Sequence, residues 1–192
     1  MERDFWVLLA MEMDLPEIIN TCLTSKKIDL YVCKNDFFWL NKVKKDFGLS
    51  ITKTKAKSYY FELYNLLKKY TPVEIWNQGI DEKRIDKVLL AIHKNINLTE
   101  LFKDRRTFIL FIKRILDFYD TVTKTAQQVI IFTFLFDKVF PKAYEMGILQ
   151  DLGDKFHRIL YDKLTFYKDH PEIRQLYKKW EPFYKDLLNF RK

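Results

Sequence analysis

The 192-residue chain is 48% hydrophobic and 31% charged, enough apolar material for a packed core, which excludes disorder as its main state. Its formal net charge of +8 favours acidic partners such as nucleic acid without requiring them, because lysine-rich surfaces carry such a balance for many reasons. Four glycines and five prolines fall between periodic runs, punctuating helices and excluding the turn-rich chemistry of a β-sandwich.

In chain order, the first segment, Phe5 to Met13, is short and apolar. Asp14-Leu15-Pro16-Glu17 then reads as a helix start, with Asp14 as cap and Glu17 answering it three residues later. Leu15, Ile18, Ile19, Cys22 and Leu23 follow at helical spacing. After a polar break at Thr24 to Lys27 comes a short run, Ile28 to Cys33. Asp36 is placed to cap the next helix, through Phe38, Trp39, Val43 and Phe47, with Gly48 as its stop. The lysine-rich stretch from Leu49 to Lys57 reads as a linker or exposed loop.

Ser58 to Tyr70 is helical, with Tyr59, Tyr60, Leu63, Leu66 and Leu67 on one face. Thr71-Pro72-Val73-Glu74 opens another helix, combining a capping box with proline at the first position. Beyond Gly79, Ile85, Val88, Leu89 and Ile92 form one stripe, and Phe108, Phe111, Ile112, Ile115, Leu116 and Tyr119 a second. Thr125 to Phe140 is apolar nearly all round, as a central buried helix is. Leu152, Phe156, Ile159, Leu160, Leu164 and Tyr167 predict a further helix. Asp169-His170-Pro171 opens a last one, carrying Ile173, Leu176, Tyr177, Trp180, Phe183 and Leu187 and kinked at Pro182. No alternating strand pattern and no internal repeat occur. The expected architecture is all-α: a unit over residues 1–48, a basic connection over 49–57 and a helical bundle over 58–192.

The residues that carry chemistry in other proteins are scattered here. His93, His157 and His170 lie far from one another and from the cysteines, without the spacing of a zinc site. Ser25, Ser50 and Ser58 are the only serines, none in a nucleophile elbow. Gly147 and Gly153 do not open a phosphate-cradling loop. Asp117 and Asp120 share a helix face, where a solvated pair outweighs acid–base work. A non-enzymatic protein without cofactor or metal is the expectation. Cys22 and Cys33 are expected as reduced, buried thiols. The opening Met1-Glu2-Arg3-Asp4 lacks the basic and apolar regions of a signal peptide. The longest apolar run, Val129 to Phe136, is too short to span a bilayer. These features point to an intracellular location, cytoplasmic or nuclear, with no membrane association.

Two stretches are candidates for binding. Lys42, Lys44, Lys45, Lys53, Lys55 and Lys57 fall close together, with Phe47, Tyr59 and Tyr60 nearby, and lysines interleaved with rings can meet phosphates and stack bases. A solvated helix end followed by a loop explains the same run, since lysine suits a helix C-terminus.

The other stretch runs Leu8-Leu9-Ala10-Met11-Glu12-Met13-Asp14-Leu15-Pro16-Glu17-Ile18-Ile19, then Leu23, Lys27-Ile28, Val32-Cys33 and Asp36-Phe37-Phe38-Trp39. This order resembles an F-box, the helical motif that attaches substrate receptors to a ubiquitin ligase through its Skp-type adaptor. Phe38-Trp39 through Asp46-Phe47-Gly48 is similar to the F-box-like proteins of large DNA viruses, a setting that an abundance of Lys, Asn, Ile, Phe and Tyr suits. The usual Leu-Pro-x-Glu opening falls where only Met1 to Phe5 stand, so the first helix is short. The resemblance covers about a quarter of the chain and implies that Val7, Leu8, Met11, Leu15, Pro16, Ile18, Val32 and Trp39 face the adaptor, leaving the bundle to hold an unknown target protein. A structural or virion-associated helical protein that retains an F-box-like unit is the alternative, and a basic nucleic-acid-binding protein is a third reading.

Overall fold

A computed structural model of the chain describes residues 2–52, 55–99, 102–123 and 125–153, with isolated positions between 158 and 178. All regular structure among the described residues is helical, with no β-strand, as the periodicity predicts. None of their helices is long and apolar enough to cross a membrane. The helices expected beyond Leu152, including the one with Trp180 and Pro182, lie outside the described residues.

The chain divides into two compact units, Met1–Ile75 and Trp76–Lys192. The first carries α1 (Glu2–Glu12), α2 (Leu15–Thr24), α3 (Lys26–Ile28), a wider π turn (Asp29–Cys33), α4 (Asp36–Phe47) and α5 (Ala56–Lys69). The boundary expected at 49–57 therefore lies inside this unit, because α5 packs along α4. The Trp39 ring lies tilted 5.1 Å from that of Tyr60, and the Phe47 ring 4.8 Å from the same one. The Tyr60 hydroxyl donates to Asp46 at 2.6 Å.

The start of α2 follows the sequence closely. Asp14 accepts from the Glu17 amide and Glu17 accepts from the Asp14 amide, both at 2.9 Å. That reciprocal pair satisfies two donors a helix start otherwise leaves unpaired. The cap of α4 is Asn35, not the expected Asp36: its side-chain oxygen accepts from Phe37 and Phe38. The π turn reaches one residue further than a helical turn, to Lys34, whose amide donates to the Asp29 carbonyl at 2.8 Å. Gly48 ends α4 in the left-handed conformation, φ 67°, which glycine adopts without side-chain strain.

In the second unit, α6 (Pro72–Asp81), whose first turn belongs to the first unit, is followed by α7 (Ile85–His93), α8 (Arg105–Thr121), α9 (Thr125–Phe134), a second π turn (Leu135–Val139), α10 (Phe140–Glu145) and a 3₁₀ turn (Leu149–Leu152). A Cβ on Gly79 would stand 2.8 Å from the Val88 side chain and 3.0 Å from its amide nitrogen, so glycine is what lets α7 approach α6. Thr125 to Phe140 is not one continuous helix. Pro141 has no amide to donate and its ring crowds the carbonyl four residues back. The ladder widens over the residues before it, and Leu135, Phe136 and Val139 stay buried.

Rings fill the core of this unit. Trp76 lies 5.4 Å from both Phe111 and Phe134, and Phe132 4.4 Å from Phe136. Asp104 caps α8, and hydrogen bonds from Thr107 hold its carboxyl below the usual range. Arg105 donates to the carbonyls of Met146 and Gly147 and to Asp151 at 2.6 Å, tying the end of α10 to the start of α8.

Candidate protein-docking surface

Helix α1 packs on the π turn and α4, and two lysines of α4 hold main-chain carbonyls at its C-terminal end. Lys42 on α4 is buried, 3% exposed, although a lysine in that position reads as solvated. Its ammonium donates to the carbonyls of Met11 and Met13, both at 2.8 Å, and pairs with Asp46 at 3.0 Å. An ammonium has three donors, and here three acceptors receive them. Lys45 donates to the Met11 carbonyl at 2.9 Å and pairs with Glu12 at 2.5 Å. Its hydrogen bond and charge hold the Glu12 carboxyl below the usual range. The two lysines thus meet the orphan carbonyls and the negative dipole end of α1. The signal for this was Phe38, Lys42 and Asp46 at four-residue spacing, which sets the lysine on the buried face beside its counter-ion.

With its C-terminus gripped, α1 presents apolar side chains outward. Ala10 is its one buried residue. Phe5, Leu8 and Leu9 fall at spacings of three and four, one stripe of the helix, and are 58%, 69% and 38% exposed. Beside that stripe lies an open groove of about 510 Å³ lined by Val7, Leu8, Met11, Phe38, Asn41, Lys44 and Lys45. The groove has an apolar floor and two lysines along one rim.

The residues expected to face a Skp-type adaptor divide into two sets. Leu8 and Pro16 are exposed, and Val7 and Met11 are half-buried. Leu15, Ile18, Val32 and Trp39 are buried within the chain. Trp39 is 0% exposed and its indole nitrogen donates to the Cys33 carbonyl at 3.0 Å. These four hold the first unit together, for the reason apolar residues at helical spacing generally do: they form its core. Phe5, Leu9, Leu23, Leu30 and Phe37, none of them among the eight residues expected to face the adaptor, are exposed. The apolar character of these residues is visible in the sequence, but which of two apolar stripes faces out depends on where α1 is clamped.

The lysine run does not form one exposed patch. Lys42 is spent on α1, and Lys45 shares the same task. Lys44 is exposed on the groove rim. Lys55 is exposed, with a positive φ of 111°, at the entry to α5. Lys57 is half-buried, its ammonium 5.8 Å from the centre of the Trp39 ring. Lys53 lies outside the described residues.

The cysteines also depart from expectation. Cys22 and Cys33 are joined as a disulfide, with Cα atoms 6.2 Å apart, and are not free thiols. The chain reverses between α2 and the π turn, which brings the end of one against the end of the other, a tertiary event that the eleven-residue separation does not announce. Asp117 and Asp120 are both exposed on α8. Neither a protein-family model, nor a curated protein, nor a solved structure matches this chain.

Proposed function

We propose that the protein is a non-enzymatic, F-box-like interaction adaptor that recruits a target to the Skp-type adaptor of a ubiquitin ligase. The observation that carries this reading is the distribution of exposed apolar side chains. Of the nine large ones exposed among the described residues, Phe5, Leu8, Leu9, Leu23, Leu30 and Phe37 lie within the first unit. That many large apolar groups in water on so short a segment suit a face that another protein covers. The order of motif residues from Leu8 to Trp39 names the partner class, and Phe5, Leu8, Leu9 and the neighbouring groove offer the contact face. The bundle beyond Trp76 is then the part that holds the target.

The test is co-expression with a eukaryotic Skp-type adaptor followed by size-exclusion chromatography. Leu8→Glu is the informative variant, because it charges the exposed stripe and leaves the core untouched. Trp39→Ala would empty the core and report unfolding instead. Co-elution of the wild-type chain, lost in a Leu8→Glu chain of unchanged circular dichroism, is the expected result. Absence of wild-type co-elution overturns the reading.

The burial of Leu15, Ile18, Val32 and Trp39 favours a second reading, a structural or virion-associated helical protein in which an F-box-like unit serves as packing. That reading predicts the exposed stripe covered by another copy or another particle protein. A nucleic-acid role through the lysine run loses Lys42 and Lys45 to α1. It predicts salt-sensitive DNA or RNA binding that weakens when Lys44, Lys55 and Lys57 are neutralised.

A further inference from the structure

The disulfide sits where the exposed apolar residues of the first unit meet its core. Cys22 is in the last turn of α2 and Cys33 ends the π turn, 8% and 4% exposed. Each is near an outward leucine: Leu23, 81% exposed, follows Cys22, and Leu30, 61% exposed, lies within the π turn. The ends joined by this bond also meet where α2 packs on the π turn, with Ile18 and Val32 buried, and the Trp39 indole donates to the Cys33 carbonyl at 3.0 Å. Helix α3 is three residues long and has no side-chain cap bond, and a single π turn is a costly geometry for a backbone to keep unaided. A cross-link there removes open conformations of the loop it closes.

A further group bears on the sulfurs. The Asp29 carboxylate lies within 4.8 Å of both sulfur atoms and is half-buried. Lys34 pairs with it at 2.7 Å. A carboxylate near a thiol disfavours the thiolate, and a thiol of raised pKa leaves more slowly in exchange. Asp29 therefore slows opening of the bond, and Lys34 moderates that effect.

We infer that Cys22–Cys33 is a redox latch: a dithiol reductant opens it, and opening loosens residues 15–39 and with them the face carrying Leu23 and Leu30. In the exchange, a reductant thiolate attacks the Cys22 sulfur, the more accessible of the two. The S–S bond breaks, Cys33 leaves as thiolate and takes a proton, and a mixed disulfide forms on Cys22. The second reductant thiol displaces Cys22, which is protonated in turn. The protein gains two electrons and two protons, and the reductant becomes a disulfide. In linking the latch to docking, the inference rests on the adaptor reading; the loosening of residues 15–39 does not.

The experiment uses the full chain, oxidised or treated with dithiothreitol, in two measurements. Intact mass after alkylation reports the thiols: none alkylated before reduction and two after it is the expected result, and two alkylated in a chain exposed to mild oxidant overturns the inference. Amide hydrogen exchange reports the structure. Reduction is expected to speed exchange over residues 15–39 by at least about tenfold while residues 76–153 keep their rates; unchanged exchange over 15–39 overturns it. Asp29→Asn is expected to be reduced faster than wild type at equal reductant, and an equal or slower rate overturns the role given to Asp29. A Cys22→Ser, Cys33→Ser double variant should match the reduced chain, and if it does not fold, the reduced wild type carries the comparison. Co-elution with the Skp-type adaptor is then compared in both redox states. Weaker co-elution on reduction supports control of docking, equal co-elution refutes it, and none in either state, with exchange still accelerated, defeats the adaptor reading and leaves the latch intact.

Discussion

The two units solve the same problem by different means. The second buries rings against rings: Trp76, Phe108, Phe132, Phe136 and Phe140 are all less than 2% exposed, and a buried lysine, Lys87, donates to Gln78 and Glu82. The first, Met1–Ile75, is short, spends apolar residues on its surface and compensates with a disulfide, a buried lysine and a tyrosine–aspartate bond. Small units lack the volume for a self-sufficient core and add such staples. Both units hold a buried lysine by hydrogen bonds; what sets the first apart is the covalent cross-link, in the unit that keeps more of its large apolar side chains outward.

Three substitutions sharpen that contrast. Trp76→Ala removes the ring that Phe111 and Phe134 contact and should cost about 3–5 kcal/mol, read by urea unfolding. A loss below that range would show that the second unit is less dependent on ring packing than its geometry implies. Lys42→Met keeps most of the buried stem but leaves the Met11 and Met13 carbonyls and Asp46 without their donor. Breaking a buried pair from one side costs roughly 3–5 kcal/mol where both partners are enclosed, and Asp46 is partly open to water, so about 2–3 kcal/mol is expected. Faster amide exchange confined to α1 would locate the effect; a uniform loss across the first unit would make Lys42 a core residue and not a clamp.

The smallest effect is that of Tyr60→Phe, about 1 kcal/mol at neutral pH for one hydrogen bond, and it carries a pH signature. Burial, with the hydrogen bond to Asp46, pushes the Tyr60 phenol far above its ordinary value. The folded state therefore holds a proton that the unfolded chain releases near pH 10. The stability this group contributes is full below about pH 10 and is lost as pH rises from there. The melting temperature of the wild type should fall more steeply between about pH 9.5 and 11 than that of Tyr60→Phe. Parallel curves would mean that the phenol ionises as readily folded as unfolded.

How much of this was legible in the sequence follows the range of the interactions. Local signals read well. Asp14 and Glu17, Thr71 and Glu74, and Gly48 mark helix ends through contacts within four residues, and the apolar periodicity fixes the all-helical class. Proline at 141 warned of an interruption, but the uninterrupted apolar run from Val129 masked it. The candidate surface was legible only in part. Val7, Leu8 and Met11 do line the groove, whereas Trp39 and Ile18 answer equally well to a contact or a core residue until their neighbours are known. The disulfide joins residues brought together by a chain reversal, which no local pattern encodes, and the spacing of Phe38, Lys42 and Asp46 marks Lys42 as inward without naming the α1 carbonyls it meets.

The grip on α1 has a consequence for how this surface can change over time. Lys42 and Lys45 hold main-chain carbonyls at residues 11 and 13, and a carbonyl is the same whatever side chain accompanies it. Anchorage and exposed face are therefore separately encoded: substitutions along Phe5, Leu8 and Leu9 change the outward surface without removing the carbonyls that the lysines hold. The outward side chains are thus free to vary in size and polarity, while the buried Lys42, with three acceptors to satisfy, is not.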